Sequence, residues 1–294
     1  MRADAPFCPP PDPHPRKATS AVPRGACDTH AHVFCPAQKY PYQENRAYTP
    51  IENPIGDLRA MHAALGIERL VLVQASVHGT DSRAVLDAVA TDPERLRCIV
   101  AVKEDVTDRE LRDMHEGGAR GIRVNLVDKG GMPYSSLDAL HRIGDRIAPL
   151  GWHVELLVHV EENDELEALV KRLQVPVSVG HVGYTKAALG LQHPGYQRFL
   201  GLLRDGFFWV KLTGQYRISA RDHAPYYDVV PFAQAVVEAA PERIVWGSDW
   251  PHVVYWKSMP NDGDLLNELA VWVPDAAVRN RILVDNPARL YGFA

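Results

Sequence analysis

The stretch ACDTHAHVF, residues 26–34, places three polar side chains at alternate positions of an otherwise small or apolar run: Asp28, His30 and His32. Side chains two apart in a strand point to the same face, so a strand here predicts that both imidazoles share a direction. Two imidazoles at a strand's end can hold a metal ion or face a substrate oxyanion. A pair of hydrogen-bonded histidines on a half-exposed strand has the same spacing, so this motif alone leaves both interpretations open.

Two later apolar runs also end in residues that can do chemistry, because His181 closes PVSVGH and Asp249 closes RIVWGSD. A carboxylate that faces imidazoles can take a proton from water, while an imidazolium or a metal ion stabilises the oxyanion of a tetrahedral intermediate. We therefore predict a catalytic set, with the aspartate as general base: His30, His32, His181 and Asp249. Each has a structural alternative on its own, such as a helix cap for Asp249. Their recurrence at three strand ends favours a functional centre.

The same four residues are the candidate ligands for one divalent ion such as Zn²⁺, whose common protein ligands are histidine, cysteine and carboxylate. A centre that works without metal is nearly as well supported, and the ligand types favour the ion slightly. Glu155, on the fifth apolar run, has two open interpretations. It approaches the ion, or it pairs with Arg123.

Arginines suggest the substrate, since guanidinium groups bind carboxylates in a bidentate manner. Arg123 ends the fourth apolar run and Arg217 follows the seventh, so both are expected at one end of the sheet. Their structural alternative is pairing with Glu155 or with a loop carboxylate. Five further polar residues complete the predicted substrate-binding set: Gln74, Ser76, Asn125, Tyr184 and His252. The glycine-containing segment 129–135, KGGMPYS, is predicted to form a loop over the site.

Strand-like and helix-like segments alternate along the chain, which is the order that a parallel sheet with crossover helices produces. The strands are predicted at about 26–33, 69–75, 96–102, 119–126, 152–158, 176–181, 207–213 and 243–249. The helices are predicted at about 54–65, 80–91, 107–117, 135–150, 162–173, 195–205, 227–239, 261–271 and 275–284. This order predicts a (β/α)8 barrel of the TIM type, an α/β fold whose sites lie at the C-terminal ends of the strands. We expect residues 1–24, which are rich in proline, to form an extended arm and residues 25–294 to form one catalytic domain.

Composition excludes several classes of function. The 294 residues carry a formal net charge of −5 with no basic block, so a nucleic-acid partner is not expected. The apolar runs are far shorter than a membrane span needs, and the first residues lack the apolar core of a secretory signal. The four cysteines form no CxxC pair, which is typical of a cytoplasmic protein. Oligomerisation remains open.

Several motifs taken together resemble the amidohydrolase superfamily, in its 2-pyrone-4,6-dicarboxylate lactonase-like branch: GACDTHAHVF, GHVG, VKLTGQYRIS, WGSDWPH and NPARLYGF. The resemblance runs over nearly the whole chain after residue 24 and implies a distorted barrel with an aspartate base at its mouth. Binuclear members bridge two ions through a lysine or glutamate on strand four. Arg123 stands there and cannot ligate, so a second ion is not expected. Lys129 and Tyr184 replace arginines expected in this branch, which weakens a dicarboxylate substrate but keeps one carboxylate anchor.

We therefore predict a hydrolase that opens a small carboxylated lactone, of pyrone, muconolactone or sugar-lactone type, by attack of water on the ring carbonyl. The alternative on the same fold is a zinc-dependent non-oxidative decarboxylase of an aromatic or muconate-type acid. A third interpretation is a barrel that binds or isomerises a sugar acid or lactone without hydrolysing it. The arginines serve the lactonase and the decarboxylase alike, whereas CDTHAHVF and VKLTGQYRIS favour the lactonase. Asp249 and the histidines argue against a barrel without turnover.

Overall fold

Eight parallel strands form one sheet in the computed structural model, which describes residues 5–128 and 131–294. Each strand pairs with the next along the chain, from β1 to β8. Their bounds are Cys27–Ala31, Arg69–Val73, Leu96–Val100, Ala119–Asn125, His153–Leu157, Val177–Val179, Phe208–Leu212 and Ile244–Trp246. The predicted (β/α)8 barrel is confirmed, with all eight strands where apolar runs indicated them.

Helices follow the strands and cover the outside of the barrel. In chain order, α1 to α11 span Ile55–Leu65, Arg83–Val89, Asp108–Glu116, Leu137–Ile147, Leu166–Arg172, Pro194–Arg204, Gln215–Ile218, Val230–Ala239, Asp262–Trp272, Ala276–Asn280 and Asn286–Tyr291. Capping residues explain where several of these helices begin. Thr107 and Glu110 form a reciprocal capping box at α3, and the Ser136 hydroxyl accepts a hydrogen bond from Ala139 N at α4. The short α7 and the last helix α11 were not predicted from the sequence.

The two faces of the strands pack differently. Side chains on the outer face, such as Leu70, Leu72 and Val124, pack against the helices. On the inner face a smaller apolar cluster includes Val71, Val73 and Ile99, and the C-terminal Tyr291 and Phe293 pack into it: the cluster also contains Cys27, Trp209, Val245 and Leu290. The cations at the start of β2 and β3, Arg69 and Arg97, lie over the Phe293 ring, so this cluster closes the N-terminal end of the barrel. The opposite end is left for the site.

A β-bulge in β1 changes the expected direction of Asp28. The register with β2 shifts between Asp28 and Ala31, so alternation does not hold across this strand. Asp28 therefore faces the helix layer, where His62 Nε2 of α1 lies 3.0 Å from its carboxylate. The prediction that Asp28 shares a face with His30 and His32 is wrong.

Asp28 also joins β1 to β8, which closes the barrel. Its Oδ1 accepts hydrogen bonds from the backbone N–H groups of His30 and Ser248, both at 3.0 Å. The Ser248 hydroxyl donates to Oδ2 at 2.5 Å, and Asp249 N donates to His30 O at 2.7 Å. This network ties the backbones of His30 and Asp249 together.

Residues 5–24 run along the outside of the barrel. Thr49 N donates to Pro6 O at 2.8 Å, and Asn261 Nδ2 donates to Asp12 Oδ2 at 2.8 Å. The division into an arm and a single catalytic domain stays a prediction. Among the described residues, no helix combines the length and apolar character that crossing a lipid bilayer requires.

Candidate active site

The strands β6 and β8 end earlier than predicted, and His181 and Asp249 lie in the turns that follow them. Both residues have left-handed backbone, with φ of 53° for His181 and 68° for Asp249. Residues other than glycine seldom adopt this backbone conformation, because it costs free energy. Backbone of this kind concentrates at functional sites, and here it turns an imidazole and a carboxylate into the barrel mouth.

One carboxylate oxygen of Asp249 accepts hydrogen bonds from two side chains, and the other oxygen faces imidazoles. Its Oδ2 accepts hydrogen bonds from the Tyr216 hydroxyl at 2.6 Å and from Arg217 Nε at 2.5 Å. Its Oδ1 lies 3.7 Å from His30 Nε2 and 3.9 Å from His32 Nε2. The carboxylate is thus fixed in orientation, with one oxygen aimed at two imidazoles.

Burial and charge oppose each other at Asp249. Burial, the largest single effect, would raise the pKa of this carboxyl group, but the Arg217 guanidinium and the three surrounding histidines together outweigh it. The pKa of Asp249 lies well below its ordinary value as a result. The side chain is therefore ionised at neutral pH.

The histidines are buried and neutral. Burial lowers the pKa of His32 and His181 well below the ordinary value, and it lowers the pKa of His30 as well. His32 Nδ1 lies 2.7 Å from the carbonyl oxygen of Val73, which can only accept, so this nitrogen carries the proton and Nε2 carries the lone pair. His30 Nε2 and His181 Nδ1 have no hydrogen-bond partner among the described residues. The site therefore presents ring nitrogens that are free to bind.

Two glycines allow this close packing. A Cβ at Gly247 would lie 2.7 Å from His30 Cβ, and one at Gly214, whose φ is 62°, would clash with His181 Nδ1. Larger residues at these positions would displace the imidazoles. Glycine there is required by the site rather than by the strand ends alone.

Three of the four predicted metal ligands fit one divalent ion. Donor atoms of His30, His181 and Asp249 all lie within 4.8 Å of one another, and the buried ring nitrogens without partners are suitable for coordination. His32 does not belong to this group, although its ring centroid lies 5.2 Å from that of His30. The donor set therefore suits a single ion, with His32 beside it.

Glu155 contacts the donor set only through His30, and neither open interpretation describes its main contact. Its Oε2 accepts a hydrogen bond at 2.5 Å from Lys211 Nζ, and its Oε1 lies 3.3 Å from His30 Nδ1. Arg123 Nη1 is farther away, at 4.0 Å. Sequence reasoning missed Lys211, although a lysine inside the apolar run FFWVKL is unusual enough to mark it.

The two arginines occupy different situations. Arg217 is bound to Asp249 and also donates to Val253 O at 2.8 Å, so its guanidinium is not the free anchor that the sequence suggested. The structural alternative, pairing with a carboxylate, describes it better. Arg123 is nearly buried, and its Nε and Nη1 have no hydrogen-bond partner among the described residues. Arg123 is thus the guanidinium with capacity for a ligand.

A cavity above Asp249 brings seven of the predicted site residues together. These are His32, Ser76, Arg123, His181, Tyr184, Arg217 and Asp249. His30 is not part of this lining. Two polar residues that were not predicted from the sequence complete it, Tyr48 and Asp128. Tyr48 lies in the loop between β1 and α1, where no strand or helix pattern marks it as a site residue.

Three predicted substrate contacts lie outside this cavity. Gln74 and Asn125 line an adjoining cavity that shares Arg123 and Ser76, and both amides are bound to nearby loops. His252 is fully buried behind Tyr216, with its Nδ1 3.1 Å from the tyrosine hydroxyl. These positions correct the expected direct contact for His252, because a buried side chain there reaches Asp249 only through Tyr216. Lys129 lies outside the described residues, as does the first part of the predicted loop 129–135.

Comparison with known proteins agrees with the geometry. The amidohydrolase family profile matches residues 27–293. The chain is 40% identical to a 4-sulfomuconolactone hydrolase of Rhizobium radiobacter, over 99% of this chain and 98% of the relative. It is 31% identical to a D-galactarolactone isomerase of Agrobacterium fabrum, over 92% of each chain.

A solved structure shows the same architecture. It is a probable 2-pyrone-4,6-dicarboxylic acid hydrolase of Acinetobacter baumannii with citric acid bound, 29% identical in sequence, with a TM-score of 0.81 over 92% of this chain and 100% of that one. The family match and the identities confirm the branch that the motifs indicated. This enzyme belongs to the amidohydrolase family, in the lactonase-like branch of that superfamily.

Proposed function

We propose that this enzyme hydrolyses the ester bond of a small lactone that carries an acidic group. The observation that carries the proposal is the state of Asp249: one oxygen is held by Tyr216 and Arg217, and the other faces imidazoles at the floor of a cavity. An ionised carboxylate in this position is suited to activate water. The names of the similar hydrolases support a lactone as the substrate class.

Asp249 and His32 together can orient the attacking water. Asp249 Oδ1 and His32 Nε2 are both acceptors and lie 3.9 Å apart, so one water molecule can donate one O–H to each. The water oxygen then bonds to the ring carbonyl carbon while Asp249 takes its proton. When the tetrahedral intermediate collapses, the ring C–O bond breaks and Asp249 returns the proton to the leaving oxygen.

Arg123 is the proposed anchor for the acidic group of the substrate. Its guanidinium lines the cavity with nitrogens that lack partners among the described residues, and burial strengthens a charge-assisted hydrogen bond. Ser76 and Tyr184 line the same cavity and complete the proposed contacts with the ring. Anchoring at one end holds the carbonyl near the water, which lowers the entropy cost of the attack.

The residues that would hold an ion are His30, His181 and Asp249. An ion bound there would act as a Lewis acid that polarises the ring carbonyl and stabilises the oxyanion. The chain's own contribution is to keep the imidazoles neutral through burial, so that their nitrogens are able to ligate.

A panel of lactones tests the proposal. Pyrone, muconolactone and aldonolactone types are incubated with the purified enzyme at neutral pH, and a pH indicator records the acid that ring opening releases. We expect acid release from lactones with a carboxylate or sulfonate and much less from neutral lactones of the same ring. Carbon dioxide released from an aromatic or muconate-type acid, without lactone turnover, would instead establish the decarboxylase.

Lactone isomerisation is the second candidate, favoured by the 31% identity to the galactarolactone isomerase. An isomerase converts one lactone into another, so no net acid appears although the substrate is consumed. Proton NMR of the same reaction mixtures separates the two, because hydrolysis yields an open-chain hydroxy acid. A cyclic product at constant pH would replace hydrolysis by isomerisation.

A further inference from the structure

A lysine lies inside the barrel, directly below the candidate active site, and the proposed reaction does not use it. Lys211, on β7, has no exposed side-chain surface. Burying an ammonium group is costly unless charged and hydrogen-bonding partners surround it. Its partners therefore indicate what the charge is for.

The ammonium group joins three elements of the barrel. Lys211 Nζ donates to Glu155 Oε2 at 2.5 Å and to Thr29 O at 2.7 Å, and it lies 3.4 Å from His30 Nδ1. Glu155 Oε1 lies 3.3 Å from the same ring nitrogen. His30 Nδ1 thus lies between a carboxylate oxygen that can only accept, at 3.3 Å, and an ammonium that can only donate, at 3.4 Å, so its two neighbours favour opposite tautomers.

We infer that Lys211 is a positioning residue that acts on His30 through Glu155, an inference that rests on the proposed function. The ammonium holds Glu155 so that Oε1 accepts the proton on His30 Nδ1, which leaves the lone pair on Nε2, 3.7 Å from Asp249 Oδ1. The assignment also satisfies Oε1, because a buried carboxylate oxygen needs a donor and the next charged neighbour, Arg123 Nη1, is 4.0 Å away. His30 is thereby kept in the form that can bind an ion or accept a proton from water.

A purely structural salt bridge would make a different prediction. If Lys211 and Glu155 served only to join β5 and β7, the ring of His30 would choose its tautomer without them. Partners of this kind orient a neighbouring imidazole by fixing which nitrogen carries the proton, and their loss typically costs about 10- to 100-fold in activity or metal affinity. The location of that proton is therefore the decisive readout.

Nitrogen-15 NMR of the histidine rings measures it directly. The chain is labelled on histidine nitrogens, and the His30 signals are identified by their loss in His30→Gln. We expect one tautomer for His30 at neutral pH, protonated on Nδ1, and a mixture or the opposite tautomer in Lys211→Met. Spectra are recorded on the enzyme as purified and again after chelator treatment. An ion bound to Nε2 would itself keep the proton on Nδ1, and removing any such ion excludes that explanation.

Lys171→Met is the matched control, because Lys171 also pairs with a glutamate at 2.5 Å but lies on the exposed face of α5. It should leave the His30 signals and the activity unchanged. Should Lys211→Met fail to fold, Lys211→Met/Glu155→Gln removes both charges while conserving volume, and the same loss of the single tautomer is expected. A proton on Nε2 in the parent chain, or an undisturbed Nδ1 proton in either folded variant, would overturn the inference.

Kinetics on an active lactone then test the consequence. We expect kcat of Lys211→Met to fall by about 10- to 100-fold with little change in KM, because the substrate anchor Arg123 is untouched. A parental kcat in a variant that has lost the single tautomer would also overturn the inference. If no lactone is hydrolysed at all, the proposed function fails while the NMR result still decides the role of Lys211.

Discussion

Asp249→Asn removes the proposed general base while it keeps the hydrogen bonds around that side chain. The Tyr216 hydroxyl and Arg217 Nε both donate to Oδ2, so the amide of an introduced asparagine keeps its oxygen on that side. Its NH₂ group then takes the place of Oδ1, facing His30 Nε2 and His32 Nε2. A donor replaces the acceptor at the position where water would lose its proton.

The expected loss follows from the role of that oxygen. A positioned general base contributes about 10²- to 10⁴-fold to the rate. At about 1.4 kcal/mol for each factor of ten, the barrier should rise by roughly 3–5 kcal/mol. KM for an acidic lactone should change little, because Arg123 is proposed to hold the acidic group and does not contact Asp249.

The assay is acid release under kcat/KM conditions, with circular dichroism and a thermal melt to show that the variant is folded. Asp145→Asn is the matched control, since Asp145 lies exposed on α4, in the helix layer outside the barrel. It should keep the parental rate. A folded Asp249→Asn enzyme within a factor of about three of the parent would refute the assignment of the base, since far more than that is expected.

Three further outcomes are expected. In Arg123→Met, KM for a carboxylated lactone should rise about 10- to 100-fold while KM for a neutral lactone stays constant, which steady-state kinetics on both substrates checks. Elemental analysis should find no more than one divalent ion per chain, because Lys211 Nζ occupies the space between Glu155 and His30, and His181→Ala should reduce that content. Burial lowers the pKa of His153 from 6.5 to about 4, so between these values the unfolded chain binds a proton that the folded chain does not. Stability should therefore fall by about 3 kcal/mol as the pH decreases from 6.5 to 4, and urea unfolding of His153→Leu should lack that part of the loss.

The barrel could be predicted because strands buried on both faces are apolar along their whole length. Runs such as RLVLV and LRCIV, separated by helical segments, indicate parallel strands with crossover helices, and such strands join in chain order. The predicted ends of the strands were less accurate. β6 and β8 stop at Val179 and Trp246 because the turns that follow need left-handed backbone at His181 and Asp249, and composition does not reveal this.

The position of the site could be predicted from the rule that barrel enzymes use the C-terminal ends of the strands. The predictions that failed concerned the direction of one side chain and the partner of another. A one-residue bulge turned Asp28 toward α1. The four-residue α7, too short to show a period, brought Arg217 into a hydrogen bond with Asp249, so its guanidinium is not free for a ligand. Lys211 was missed because it lies within β7, one residue before the strand ends, and the candidate site residues were sought mainly among polar residues at the strand ends.

The charges below and around the cavity support an acidic substrate independently of the relatives. Asp249 is neutralised by Arg217 and Glu155 by Lys211, at 2.5 Å in each case, while the histidines are neutral because they are buried. Arg123 is left as a nearly buried cation whose close carboxylate, Glu155, is already paired. Asp128 also lines the cavity, but it is partly exposed, so solvent screens its charge, and its Oδ2 accepts one hydrogen bond from Asn125 Nδ2. A substrate with one anionic group next to Arg123 would balance this positive charge, whereas a neutral lactone of the same shape would leave the charge without a partner. Discrimination between the two should therefore weaken in Arg123→Met and persist in Asp249→Asn.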